Sequence, residues 1–190
     1  MFATSGISMS QVSCIDETKK WIEKVIIAHN FCPFAKREFV KRSIHFEALA
    51  HKTIESSLEA LILACEQLDQ DPEIETTLLI FTDGFQNFEE YLDLLDIADR
   101  LLEARRYEGI YQLASFHPKY CFDEAAPDDP ANYTNRSPYP MLHLLREATI
   151  EASLKNIDNP EEIPQNNIDR ARSLGLDALE KQLEDCYLRV

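Results

Sequence analysis

Between Ile15 and His29 the apolar side chains recur at helical spacing, with Ile15, Trp21, Ile22, Val25 and Ile26 on one face. The spacing predicts a first amphipathic helix from about Asp16, ended by Asn30 and Cys32-Pro33. Ser43–Ala48 alternates instead and sets Ile44, Phe46 and Ala48 on one side of a half-buried strand. Ile54, Leu58, Leu61, Ile62, Cys65 and Leu68 return to the helical period. Thr76–Phe81 is a short β-prone run closed by the turn dipeptide Asp83-Gly84. Phe88, Tyr91, Leu95, Ala98 and Leu102 trace the next helix, Gly109 turns the chain, and Ile110–Phe116 reads as a third strand.

Strands alternating with helices of this length predict an α/β fold, with α+β as its variant. The expected core is a small three-stranded, mostly parallel sheet in the order β-α-β-α-β, with right-handed crossovers, packed with about five or six helices. After Phe116, about twenty residues carry neither period, and loops that long are functional or disordered. Phe116, Tyr120, Phe122, Tyr133 and Tyr139 argue against disorder. Ser137-Pro138 has the form of a helix start and predicts a helix carrying Met141, Leu142, His143, Leu145 and Thr149. A last helix from Pro164, broken near Gly175, forms a C-terminal appendage over residues 165–190. Residues 1–14 read as a disordered lead and 15–190 as one globular domain.

Thirty-four acidic against nineteen basic residues give a net charge of −15. That field repels phosphate backbones and anionic headgroups, so neither nucleic acid nor a membrane surface is an expected partner. The carboxylates are spread along predicted helix faces, which is the distribution of a solvated surface. No run has the length of a membrane span, and the first residues lack a basic and then apolar leader, so a cytoplasmic location is expected. Five cysteines, odd in number and without CxxC spacing, fit free thiols in a reducing compartment.

Candidate chemistry gathers at and beyond the third strand. Ligands of open α/β sheets bind beyond the carboxyl ends of the strands, where His117 stands, with Pro118 driving it toward extended geometry. Asp128 and Asp129 are adjacent carboxylates that one turn cannot satisfy together. Arg136 beside a predicted helix start makes an anion site, or else pairs with Asp128 or Asp129 to staple the loop. Asn132, Tyr133, Asn135 and Ser137 offer further hydrogen bonds, and His143 falls on an apolar face as either a core residue or a pocket residue. Cys32 precedes Pro33 at a possible helix start, an arrangement that activates thiols. The string Cys32-Pro33-Phe34-Ala35 resembles the active-site tetrapeptide of omega-class glutathione transferases, although residues 16–29 read as helix where those folds place a strand. His117 and Cys121, completed by His143 or Cys32 with Asp128, are the one metal set considered, but no HExxH, CxxC or HxH spacing supports it, so no metal is expected. No glycine-rich phosphate loop or GxSxG motif is present, and the sequence leaves any cofactor unidentified.

ETTLLIF at Glu75–Phe81, YQLASFHPKYCF at Tyr111–Phe122 and PDDPANYTNRSPYPMLHLLREA at Pro127–Ala148 carry a wider likeness. From about Trp21 onward the chain resembles the bacterial family catalogued as domain of unknown function 1415, whose pattern Cys32-Pro33-Phe34-Ala35 also matches. The resemblance brings no assigned activity. It implies that Cys32, His117, Asp128, Asp129, Asn132, Tyr133, Asn135, Arg136, Ser137 and His143 are motif positions, and that Cys121 is not. The functional expectation is a small-molecule enzyme acting on an anionic substrate. In it, His117 and Asp128 or Asp129 perform general acid/base chemistry. Arg136 holds the anion, and Asn132, Tyr133, Asn135, Ser137 and His143 complete the binding site. Cys32 forms a pocket wall or a nucleophile. The alternatives are a non-catalytic protein binding a small anion or a partner, a purely structural loop that forms a rigid, self-satisfied cover, and thiol-dependent redox or transferase activity through Cys32.

Overall fold

The computed structural model describes residues 9–50, 52–155 and 157–188, with side chains from Gln11 onward. Helix α1 spans Met9–Trp21 and runs into a π-helical stretch, Ile22–Ile27, before the short helix α2 at Ala35–Lys41. Strand β1 (Ile44–Leu49), helix α3 (Ile54–Gln70), strand β2 (Thr76–Phe81), helix α4 (Phe88–Ala104) and strand β3 (Tyr111–Phe116) follow in the expected order. The long loop holds a 3-10 turn at Pro130–Thr134 and leads into strand β4 (Met141–Arg146) and helix α5 (Glu147–Leu154). A 3-10 turn at Pro160–Glu162 precedes α6 (Ile163–Leu174), and α7 (Leu176–Glu184) ends the described fold.

The two long helices start on side-chain caps. Thr53 Oγ1 accepts the Ser56 N–H, and Asn87 Oδ1 accepts those of Glu89 and Glu90. Their apolar stripes cover one face of the sheet, in a core that includes Leu61, Leu68, Phe81, Tyr91, Leu94 and Leu142. α1, the π stretch, α6 and α7 cover the other face, with Trp21, Ile26, Leu78, Met141, Ala171 and Leu179 in the second core.

The sheet has four strands in the order β1-β2-β4-β3, not three. β1 and β2 pair in parallel, while β4 pairs antiparallel with both β2 and β3. The three expected strands thus share one direction, and β4 is inserted against it between β2 and β3. The fold is a mixed α/β sheet with seven α-helices among the described residues, and only one of its three strand pairs is parallel.

β4 replaces the helix expected after Ser137-Pro138. Ser137 Oγ donates to Tyr139 O at 2.6 Å instead of capping a helix. A central strand is buried on both faces and reads as a continuous apolar run, which periodicity alone does not separate from a buried helix. Helix begins at Glu147.

The lead and the appendage are also redrawn. Residues 9–14 are helical and bury Cys14; residues 1–8 lie outside the described residues. The break at Gly175 is where it was expected, with φ 82°. Residues 165–188, however, belong to the second core through Ala171, Leu179 and Cys186. Two ties reinforce that packing: Asn167 Nδ2 donates to Phe31 O at 2.6 Å, and the Leu188 N–H to the buried Glu17 carboxylate at 2.8 Å.

Candidate functional site

The polar groups of the 117–137 loop are directed at its own backbone. His117 is fully buried, its Nδ1 accepting the Lys119 N–H at 2.9 Å and its Nε2 donating to Phe85 O at 2.9 Å. The ring sits 5.0 Å from both Phe88 and Tyr91. Burial holds its pKa below the ordinary histidine range, Lys119 adds to that, and the bond to Phe85 works against it. Buried Asn132 accepts the Phe122 N–H at 3.0 Å and donates to Ala126 O at 2.9 Å.

Arg136 Nε donates to Tyr120 O at 3.0 Å and Nη2 to Pro127 O at 2.7 Å, while the guanidinium lies 4.7 Å above the Tyr133 ring. The Arg136 carbonyl in turn accepts Trp21 Nε1–H at 3.0 Å. Arg136 staples the loop through carbonyls; the cation paired with Asp129 is Arg172 of α6, at 2.7 Å. Asp129 also accepts the Ala131 N–H, and the bonds from Arg172 and Ala131 hold its carboxyl below the usual range. Asp128 is exposed, and Tyr133 is packed into the second core. Asn135 closes the outer edge of β3: its side chain donates to Ser115 O, and its carbonyl accepts the His117 N–H, both at 3.2 Å.

A better candidate opening lies elsewhere. A cavity of about 240 Å³ sits on the second face of the sheet, and of the candidate residues Cys32 and His143 line it. Ile44, Thr76, Leu78, His143, Leu145, Ala114 and Phe116 form its floor. The strand register aligns them, with Thr76 beside Ile44 and Leu145, and His143 beside Leu78 and Ala114. Ile22 and Ile26 of the π stretch, Cys32, Phe34 and Ala35 at the start of α2, and Thr149, Ile150 and Ser153 of α5 make the walls. The wider winding is visible in the Phe31 N–H bond to Ile26 O at 2.9 Å, five residues back; such π segments concentrate at functional sites. Arg37 Nη2 reaches Ser153 Oγ at 3.3 Å and ties α2 to α5. Arg37 also pairs with Glu38.

His143 lies on β4, not on the expected helix. Its Nε2 is 2.7 Å from Thr76 Oγ1, and that hydroxyl donates its single proton to Leu144 O at 2.6 Å. Thr76 therefore accepts from the imidazole, which fixes the proton on Nε2. Nδ1 is left with its lone pair and has no partner among the described residues. Burial pushes the pKa down to about 4, so the ring is neutral at physiological pH.

Cys32 faces a similar environment with a different outcome. Burial raises its thiol pKa, and the N–H groups of Phe34 and Ala35 offset this only in part. The thiol is accordingly protonated at neutral pH. Iodoacetamide at pH 7.5 should modify Cys32 about tenfold or more slowly than a free cysteine. The rate, read on the Cys32 peptide by mass spectrometry, should rise with pH throughout the neutral and alkaline range and level off at a higher pH than for a free cysteine. A rate at pH 7.5 equal to or above that of free cysteine contradicts the burial argument.

Sequence reasoning did not single out Thr76, Trp21 or Phe116. The available signal was a threonine and a histidine each set on one face of an apolar strand; what pairs them is the β2–β4 register, which local periodicity does not express. Among the described residues no group of three or more His, Cys, Asp or Glu side chains is placed to hold a metal ion, and no helix is long and apolar enough to cross a membrane.

Fold and cavity together define a mixed α/β protein with an apolar chamber on its sheet and one unpaired imidazole nitrogen. A family model described as a protein of unknown function (DUF1415) matches residues 13–181, and the chain belongs to that family. No curated protein and no solved structure matches the chain.

Proposed function

We propose that the chain binds a small, largely neutral molecule in the cavity above the sheet, with His143 Nδ1 as hydrogen-bond acceptor for an N–H or O–H of that molecule. The observation that carries this reading is a neutral imidazole of fixed tautomer, one nitrogen unpaired, in a chamber lined largely by apolar side chains, with Arg37, Glu38, Glu75 and Arg146 also in its walls. A cavity of about 150 Å³ holds benzene, so about 240 Å³ suits a ligand of roughly ten to fifteen non-hydrogen atoms. Arg136 and Arg146 are engaged with backbone carbonyls and Arg37 with Glu38, which favours a neutral ligand over the anionic one expected from the loop. The same lone pair supports general-base chemistry on a ligand whose anion stays beside the imidazolium, since an isolated charge there is costly. Thiol chemistry at Cys32 is the second reading, favoured by its place in the same wall.

Phenol and toluene, titrated by calorimetry, test the proposal. One buried hydrogen bond contributes about 1 kcal/mol net, so the affinity ratio of phenol to toluene should fall roughly five- to tenfold in His143→Leu. Ala114→Leu, which fills the floor beside His143, should abolish both interactions. An unchanged ratio removes His143 from the proposal; full binding by the Ala114 variant removes the cavity.

A further inference from the structure

The two edges of the sheet are treated differently. The Glu147 N–H donates to Ile110 O at 3.0 Å, so even-numbered residues of β3 turn their backbone groups toward β4 and odd-numbered ones outward. Asn135 occupies the outward carbonyl of Ser115 and the N–H of His117, and the Tyr111 N–H turns back to Tyr107 O, so of this edge Leu113 keeps both outward groups without a partner among the described residues. At the opposite edge the Thr82 N–H donates to Leu49 O at 2.9 Å, so odd-numbered residues of β1 face β2. Ile44, Phe46 and Ala48 then present their N–H and C=O groups away from the sheet. Gln11 Nε2 reaches Ala48 O at 2.8 Å, while the outward groups of Ile44 and Phe46 have no partner among the described residues. An edge left in this state is a template for another strand.

We propose that the strand is β1 of a second copy of this chain, antiparallel, with Phe46 opposite the partner subunit's Phe46. Outward-facing residues then meet outward-facing residues: Phe46 exchanges two backbone bonds with its counterpart, and Ile44 does so with the partner subunit's Ala48. The Ala48 carbonyl has a second lone pair, so the Gln11 contact persists. Between these bonds His45 stands opposite the partner subunit's Glu47, twice, in the pair type that brings side chains closest. Hydrogen-bonding complementarity, a ring N–H opposite a carboxylate, selects this register. Sliding one strand by two residues either way sets His45 against itself or Glu47 against itself.

The flanks agree with the occupant. Leu63 of α3 is 64% exposed and lines one groove with His45, Phe46, Glu47 and Ala48 of the strand, together with Gln11 and Ile15 of α1. A two-fold axis through Phe46 packs this groove against its own copy, the self-complementary geometry of a closed dimer. The product is an eight-stranded sheet, twice the four strands of one chain, with β3 of each copy at its outer edges.

Sedimentation equilibrium on the full chain, with His45→Glu, Glu47→Lys and the double exchange, tests the register itself. The wild type should be a dimer, and each single variant should dissociate at least about tenfold more readily. The double exchange again sets a donor opposite a carboxylate at both positions and should return to within about threefold of wild type. Circular dichroism verifies that each variant is folded. A wild type that stays monomeric up to about 200 µM overturns the proposal, as do single variants that dimerise normally or a double exchange no tighter than the singles. None of these outcomes bears on ligand binding in the cavity.

Discussion

His117→Ala should lower the free energy of unfolding by about 3–4 kcal/mol, measured by urea denaturation at pH 7.5. The imidazole satisfies one buried donor and one buried acceptor, and it fills the space between Phe88 and Tyr91. Alanine leaves the Lys119 N–H and the Phe85 carbonyl unpaired and opens a void, and each loss is expensive inside a packed core. Phe85 enlarges the effect. Its φ of 58° is a conformation bulky residues rarely adopt, and the carbonyl bond to His117 is one of the contacts that hold it there, together with the Phe81 ring at 5.0 Å. Asn132→Ala should cost about 3 kcal/mol by the same reasoning, since it removes the partners of Phe122 and Ala126. Because the two residues brace one loop, the double variant should lose less than the sum of the single losses. A change below about 1 kcal/mol for His117→Ala would show that the loop does not depend on this histidine for its shape.

The contrast between the loop and the cavity shows what can be read along the chain and what cannot. Stripes such as Phe88, Tyr91, Ala98 and Leu102 mark α4 because one side of that helix meets the core and the other meets water. The segment Met141–Arg146 has no such contrast: it is the strand between β2 and β3 and is apolar on both sides, so the Ser137-Pro138 signal in front of it reads as a helix start. The loop's order was visible in its aromatic residues and its density of Asx and arginine side chains. Their partners were not, because Arg136, Asn132 and Asn135 bind carbonyls and N–H groups that every residue carries alike. The cavity is harder still to see. Its floor takes two residues from each of three strands and one from β1, each unremarkable in its own segment, and only strand order and register bring Thr76 to His143. Side-chain donor and acceptor character, by contrast, is written residue by residue, which is why the alternation of His45 and Glu47 on an open edge supports a definite pairing.

Acid titration should expose His143 directly. Its folded pKa of about 4 lies below the ordinary value of 6.5, so the neutral form is the one the fold favours. Above pH 6.5 the ring is neutral folded or unfolded, and its contribution to stability is complete. As the pH falls from 6.5 toward 4 the unfolded chain takes up a proton that the folded chain refuses, and stability declines by about 1.4 kcal/mol per pH unit. The total over that window is about 3 kcal/mol, and below pH 4 the residue contributes no further loss. His117, also depressed by burial, acts in the same direction, so the wild-type slope should exceed one proton. Asp129 is held below the carboxylate range, and its share is lost only at more acidic pH, outside the histidine window. Urea denaturation of wild type and His143→Leu at half-unit steps from pH 7 to pH 4 separates these terms. The variant should be flatter by about one proton, with the difference growing between pH 6.5 and 4 and constant above. Parallel curves would mean that the imidazole at position 143 is protonated as readily in the fold as in the unfolded chain, and the neutral acceptor on which ligand recognition depends would be gone.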